Sequence, residues 1–345
     1  MRFKKLRDQV IVITGASTGI GLTTADMAVA RGARVVLAAR SEPELAELTE
    51  QLNQGAPPGR QRAIFVAVDI SDPNAAERIA EAAQDAFGGV DTWVNNAGVS
   101  VYGRIADVRL ADMRRVFETN FWGTVHGCRV AVELLRQRGG VIINMGSVVS
   151  DVALPLQGIY SASKHAVKGF TDALRLEVEA EGLPIRLTLV KPGPIDTPYT
   201  EHARNYLPHE PTHQPPVYAP EAVAEAILRC AERPVRDIVV GGASRVMSAI
   251  ARVAPRMTDL YLERMAFGAQ QREDVPADDV DSLYEPSRDV RRHGSYPGRV
   301  MRSSAYTRAM LSDVGRAAPL VAIGALVAAG VAAARRGSRA GAGQR

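Results

Sequence analysis

A doubly wound, parallel α/β sheet is the fold this sequence predicts, and two patterns predict it. Through residues 9–245, short β-branched runs that are apolar at nearly every position alternate with longer stretches whose apolar residues fall at helical spacing. Strands with no polar side need cover on both faces, and helices placed between successive strands supply it. A third observation sets the limit of the domain, because the alternation stops near residue 245.

Taken in order, the first run is QVIVIT (9–14), preceded by the basic MRFKKLRD. Its apolar stretch is only a few residues long and leads straight into glycines, which marks a buried strand rather than a signal peptide. A helix is expected over 19–31, then the strand RVVLAA (34–39), a helix over 42–53, the strand AIFVAV (63–68) and a helix over 73–87. The strand DTWVNN (91–96) precedes a long helix over 110–137, VIINMG (141–146) precedes one over 161–181, and IRLTLV (185–190) precedes one over 220–232, with DIVV (237–240) closing the series. Ligands of such sheets bind at the carboxyl ends of the strands, so the segment after each strand is where chemistry is expected.

The bulk numbers suit a globular enzyme. The 345 residues are 46% apolar and 23% charged. Cys128 and Cys230 are too few for a disulfide framework and stand in no metal-binding spacing, which fits a reducing, cytoplasmic compartment. The net charge of +4 is concentrated at the ends. Residues 1–8 carry +3 and residues 331–345 carry +4, so the rest carries −3. No basic excess is left in the body for a nucleic-acid footprint, and nucleic acid is not an expected partner.

Beyond 245 the texture changes. Residues 246–316 read as a polar, charged extension, partly disordered, with 271–300 rich in charges of both signs and holding three prolines. Residues 317–334 are eighteen uncharged residues bracketed by Arg316 and by Arg335 and Arg336, with a basic tail over 335–345. That run just reaches the roughly 18–20 residues that cross a bilayer. Nine of its residues are alanine, however, so two readings stand: a C-terminal membrane anchor, or a helix packed on the protein or a partner subunit.

The first chemical signal is TGASTGIG, which puts Gly15, Ser17, Thr18, Gly19, Ile20 and Gly21 between a strand and a helix. Glycines there let the backbone approach a pyrophosphate, and the helix start favours its charge. At the end of the second strand, Ala39 stands where an acid would hold a ribose 2′-hydroxyl, and Arg40 and Ser41 follow. That substitution favours NADP(H) over NAD(H), since an Arg can hold a 2′-phosphate.

The second signal is YSASKHAVKG (160–169). Tyr160 and Lys164 are four apart and so share one helix face. A phenol with pKa near 10 must drop by about three units, or roughly 4 kcal/mol, to act as a base at neutral pH. An ammonium about 4 Å away supplies about that much at an intermediate dielectric. Chance alone would place roughly 0.1 Tyr-x3-Lys pairs in a chain of this composition. Ser147 follows the strand VIINMG, where its hydroxyl could bond a carbonyl as charge develops on the oxygen.

TGASTGIG, NNAG (95–98), Ser147, Tyr160-x3-Lys164 and KPGPIDTP (191–198), in that order, resemble the short-chain dehydrogenase/reductase family over residues 8 to about 242. The resemblance implies a Rossmann-like single domain with Tyr160 as general acid or base and Ser147 positioning the carbonyl. Lys164 would lower the Tyr160 pKa and hold the nicotinamide ribose, and Asn120 would maintain a proton relay. Asp69 and Ile70 would lie near the adenine, Asn96, Ala97 and Gly98 would close one wall, and Pro192, Gly193, Ile195 and Thr197 would line the nicotinamide side. Self-association through helices 110–137 and 161–181 is implied as well.

Substrate walls are expected from Val99 to Tyr102, Val148 to Gln157 and a lid from Tyr199 to Tyr218, whose His202, His209 and His213 read as lid surface. The apolar Val148–Leu156 wall points to a bulky apolar carbonyl compound or secondary alcohol. The competing reading is a non-catalytic dinucleotide-binding, redox-sensing module on the same scaffold.

Overall fold

The computed structural model describes residues 3–312 apart from 58, 278 and 279. The expected membrane segment 317–334 and the basic tail 335–345 lie outside the described residues. Seven strands form one sheet: β1 (Val10–Thr14), β2 (Arg34–Ala39), β3 (Ala63–Ala67), β4 (Thr92–Asn95), β5 (Gly140–Met145), β6 (Ile185–Pro192) and β7 (Asp237–Val240). They lie in the order β3-β2-β1-β4-β5-β6-β7, and every pairing is parallel. Strand order reverses between β1 and β4, and the crevice at their carboxyl ends is the place where such sheets bind ligands.

The helices are α1 (Gly19–Ala30), α2 (Glu42–Asn53), α3 (Ala75–Phe87), α4 (Leu110–Phe117), α5 (Gly123–Leu135), α6 (Gly158–Ala180), α7 (Pro220–Glu232), α8 (Gly242–Val253), α9 (Pro255–Ala269) and α10 (Ala305–Leu311). Alternation along each strand divides the core in two. Ile11, Ile13, Val35 and Leu37 face α1, α2 and α7, where Leu22, Leu45 and Ile227 meet them. Val10, Val12 and Val36 face α3 and α5, where Ile79 and Leu135 meet them. Because both faces are covered, the strands need side chains that are apolar at every position.

Two elements depart from the sequence reading. The helix expected over 110–137 is broken by a π-helical turn, Glu118–Trp122, that separates α4 from α5. The wider turn carries Asn120, whose side chain leaves the helix surface to bond the backbone of Val99. The boundary at 245 falls inside α8, and the supposed polar extension is built from α8, α9, a strand at Gln271–Pro276 and α10. Met247, Ala251, Leu262 and Ala266 explain that folding, since they pack with Val152 and Leu154 in a small apolar cluster.

Short strand pairs tie down the segment after β6. Arg204–Asn205 pairs with Val101–Tyr102, His209–Pro211 with Gln271–Pro276, and Val217–Tyr218 with Val300–Met301.

Candidate active site

After β1 the chain folds back on itself. Gly15 and Gly19 take left-handed φ of 64° and 52°, and a Cβ on Gly21 would lie 2.0 Å from the Gly15 carbonyl oxygen. The Asn96 amide donates to the carbonyls of Thr14 (2.9 Å) and Gly15 (3.1 Å), while the Thr14 hydroxyl accepts from the N–H groups of Asn96 and Ala97. These bonds join the glycine loop and the NNAG turn into one rigid rim. A cavity of about 210 Å³ lies along that rim. It is lined by Gly15, Ser17, Thr18, Gly19 and Ile20 from the loop, by Arg40, Ser41, Asp69 and Ile70 from the ends of β2 and β3, and by Asn96, Ala97 and Gly98.

The C-terminal part of the chain lies across this cavity as a strap, which sequence reading did not anticipate. The Arg40 guanidinium donates to the carbonyls of Ser282 (2.5 Å), Leu283 (3.3 Å), Tyr284 (2.8 Å) and Glu285 (2.9 Å). The Gly19 N–H, at the start of α1, donates to the Arg291 carbonyl (2.8 Å), and a Cβ on Gly294 would lie 2.6 Å from the Thr197 carbonyl oxygen. Leu283 is wholly buried among Val101, Val108 and Val116. Ser41 is turned to Glu44, and Asp69 bonds Arg115 and the N–H and hydroxyl of Ser71. Burial raises the Asp69 carboxyl, but the Arg115 and Ser71 bonds outweigh it and hold the group below its ordinary range. The residues suit a dinucleotide, since glycines open the backbone and a helix start and a guanidinium face it. The cavity, with Ser282, Pro286 and Ser287 of the strap in its lining, falls short of the roughly 300–1,000 Å³ of small-molecule sites.

At the ends of β5 and α6 the chemistry-bearing side chains converge. Ser147 begins a single helical turn, its Oγ accepting from the Val149 N–H (3.3 Å) and its own N–H donating to the Ser150 hydroxyl (3.1 Å). Lys191 anchors that turn through Asp151 (2.7 Å), with both side chains only 10% exposed. Leu156, with a left-handed φ of 64°, swings the chain into α6, whose first turns present Tyr160 and Lys164. Lys164 Nζ donates to the Met145 carbonyl (2.9 Å) and lies 5.8 Å from the Tyr160 ring centroid. Asn120 accepts from the Val99 N–H (2.8 Å) and donates to the Val99 carbonyl (3.0 Å) and the Ser163 hydroxyl (3.1 Å).

The electrostatics differ from the expected pull of Lys164 on the phenol. Burial raises the Tyr160 pKa, while the neighbouring hydroxyls of Tyr199 and Ser147 act in the opposite direction. Burial also pushes Lys164 down to about 8. Lys164 and Tyr160 are buried side by side at the start of α6, so loss of water disfavours the charged form of each.

Ser147, Tyr160 and Lys164 open into a second cavity of about 760 Å³, which meets the first at Ile20, Asn96, Gly98 and Thr197. Pro192, Gly193 and Ile195 form its floor. Of the expected walls, Tyr102, Val148, Val149, Leu154, Gln157 and Tyr199 line it. Tyr199 lies tilted beside Tyr160 with ring centroids 5.4 Å apart, and its buried hydroxyl, close to Tyr160 and Ser100, meets no partner in good geometry. The reading of the histidines as lid surface is corrected. His213 lies flat against Tyr199 (6.3 Å, 15°) and walls the cavity, and burial pushes its pKa down to about 4. His202 is held inward by Ser287, and His209 sits in the strand that pairs with Gln271–Pro276. Met247, Ile250, Met257 and Tyr261 of α8 and α9 complete the wall. Sequence reading missed them, although Met257 and Tyr261, four apart on one helix, were there to find.

The profile of the family described as short chain dehydrogenase matches residues 9–207. An uncharacterized oxidoreductase, YxnA, of Bacillus subtilis is 43% identical over 334 residues, covering 95% of this chain and 92% of that one. A short chain dehydrogenase/reductase of Burkholderia phymatum, solved in complex with NAD, superposes with a TM-score of 0.62 at 27% identity, covering 81% of this chain and 99% of that one. A short chain dehydrogenase of Burkholderia cenocepacia, solved in complex with NADP, superposes with a TM-score of 0.62 at 25% identity, covering 75% and 99%.

Proposed function

The chain belongs to the short chain dehydrogenase family, and on that premise we propose that it is an NADP(H)-dependent oxidoreductase interconverting a bulky apolar carbonyl compound and its secondary alcohol. One observation carries the reading. Tyr160 and Ser147 line a largely apolar cavity of about 760 Å³ that shares Ile20, Asn96, Gly98 and Thr197 with the glycine-loop cavity.

In this reading the glycine loop, Arg40, Asn96 and Thr197 hold a nicotinamide dinucleotide, which supplies or accepts the hydride when bound. Tyr160 gives its phenolic proton to the carbonyl oxygen in reduction and takes it back in oxidation. Ser147, fixed by its own helical turn, donates to the same oxygen and favours the charge that develops there. Lys164, 5.8 Å from the Tyr160 ring centroid, restores the proton, with Asn120 keeping the π turn and Val99 in place. Burial of these groups strengthens each interaction by excluding water.

Preference for NADP(H) rests on Ala39 and Arg40. Four carbonyl dipoles satisfy the guanidinium without neutralising it, so a 2′-phosphate displacing them gains a charge-assisted, bidentate partner. The reading also holds the protein to be cytoplasmic and self-associating through α4, α5 and α6, supported by Trp122 and Leu176, large apolar residues left exposed there.

The test is Tyr160→Phe. Loss of ketone-dependent NADPH oxidation with NADPH binding retained supports the assignment. Cofactor binding without turnover on apolar ketones in either protein moves the chain to a dinucleotide-sensing role.

A further inference from the structure

The hairpin of α8 and α9 is apolar on two sides. Its inner side packs through Met247, Ala251, Leu262 and Ala266. Its outer side leaves Val246, Ile250, Val253, Met257, Tyr261 and Met265 at least half exposed, with Val253 reaching 85%. The spacings 246, 250, 253 and 257, 261, 265 each make one stripe along a helix. Contiguous exposed apolar surface of this kind marks an interaction site.

We propose that this outer face docks on an anionic lipid bilayer, and that the substrate is a lipophilic carbonyl compound drawn from that bilayer. The second half of the statement rests on the oxidoreductase reading above.

Three features favour a bilayer over another occupant. Arg245, Arg252, Arg256 and Arg264 are exposed on the same two helices against only Asp259 and Glu263, so an apolar stripe is rimmed by a basic excess in a chain whose body carries net negative charge. That combination fits interfacial binding to anionic lipid. Next, Val246, Ile250, Met257 and Tyr261 are shared between the stripe and the wall of the 760 Å³ cavity. A protein partner seated there would cover the mouth, whereas a bilayer covers the face and delivers an apolar substrate at once. Finally, α10 packs on α8, with Tyr306 against Gly242, and the described chain ends at residue 312. In the sequence the uncharged run begins five residues after that point, at 317.

The test uses the full chain, floated with vesicles of phosphatidylcholine alone or mixed with phosphatidylglycerol. Val253→Glu combined with Met265→Glu alters exposed positions outside the cavity wall, and Leu326→Arg interrupts the C-terminal run separately. The expected result is preferential flotation with the anionic vesicles and at least a tenfold loss of it in the double variant. Turnover of a short water-soluble ketone stays at the wild-type rate, while turnover of a long-chain ketone carried in the vesicles falls. Unchanged flotation in the double variant overturns the proposal, as does a lipid-free dimer that the same variant dissociates, which would assign the face to a second copy. Flotation does not depend on turnover, so a wild type that floats but reduces neither ketone refutes the oxidoreductase reading and leaves the docking face standing.

Discussion

Leu283→Ala tests whether the strap stands in the path of the dinucleotide. Leu283 is wholly buried against Val101, Val108 and Val116, and the carbonyls on either side of it occupy Arg40. Truncating a buried leucine to alanine costs about 2–5 kcal/mol. That cost falls on the closed strap, which is held by local contacts, more than on the sheet. Taking about 2.8 kcal/mol, at 1.4 kcal/mol for each tenfold, the open population rises about 100-fold. Apparent affinity scales with the binding-competent fraction, so the apparent Kd for NADPH should fall by up to about 100-fold, with the gain in the association rate. Stopped-flow NADPH fluorescence gives both constants, and hydrogen exchange at 282–291 verifies that the strap has loosened. Faster exchange with an unchanged or weaker Kd refutes the reasoning, because the strap would then lie outside the dinucleotide's path or form part of its cage.

Asn120→Ala strips partners from the N–H and carbonyl of Val99 and from Ser163. Urea unfolding should show a loss of about 2–4 kcal/mol, and Asn120→Asp, which keeps only the bond from the Val99 N–H, should fall between. For His213, burial lowers the pKa from 6.5 to about 4. The unfolded chain therefore binds the extra proton first as pH falls, and stability is lost between pH 6.5 and 4. The loss should be up to about 3 kcal/mol at this site, and urea melts of His213→Gln at the two pH values should show less of it. Lys164 is held at about 8 rather than 10.5, so its charge disappears as pH rises through 8. Reduction should slow above about pH 8, and Lys164→Arg, which stays charged, should move that limb upward in a kcat/KM profile.

Much of this was legible in the chain because it is local. Strands apolar at every position announce a sheet covered on both faces, and the residues after them, from Gly15 to Thr197, fall at one edge once the strands are parallel. Tyr160 and Lys164 share a helix face by their spacing, and Ser147, thirteen residues before Tyr160, is the context that strengthens the pair. What stayed hidden depends on backbone groups or on distant partners. The strap engages Arg40 and Gly19 through carbonyl oxygens, which leave no mark in side-chain identity. Leu283 is one apolar residue in a charged stretch, and its role is visible only beside Val101 and Val116. The charges of 271–300 masked a segment tied down by the ion pairs of Arg272 and Arg291 and by a hydrogen bond between His293 and Glu221. His213 and Tyr199 fell in a stretch read as a lid, but their stacking required knowing that Val101–Tyr102, Gln271–Pro276 and Val300–Met301 pair with that stretch along its length. The π turn at Asn120 inserts itself into a pattern that otherwise continues as helix.

The most direct measurement follows an isotope. NADPH carrying deuterium at the transferable position of its nicotinamide is incubated with an apolar ketone and the full-length protein, and the alcohol is weighed by mass spectrometry beside a Tyr160→Phe control. The account expects one deuterium in the alcohol from the wild type and a rate at least about 100-fold lower in the variant, the least that general acid–base catalysis contributes. Unlabelled alcohol, or labelled alcohol formed equally well by Tyr160→Phe, would contradict it.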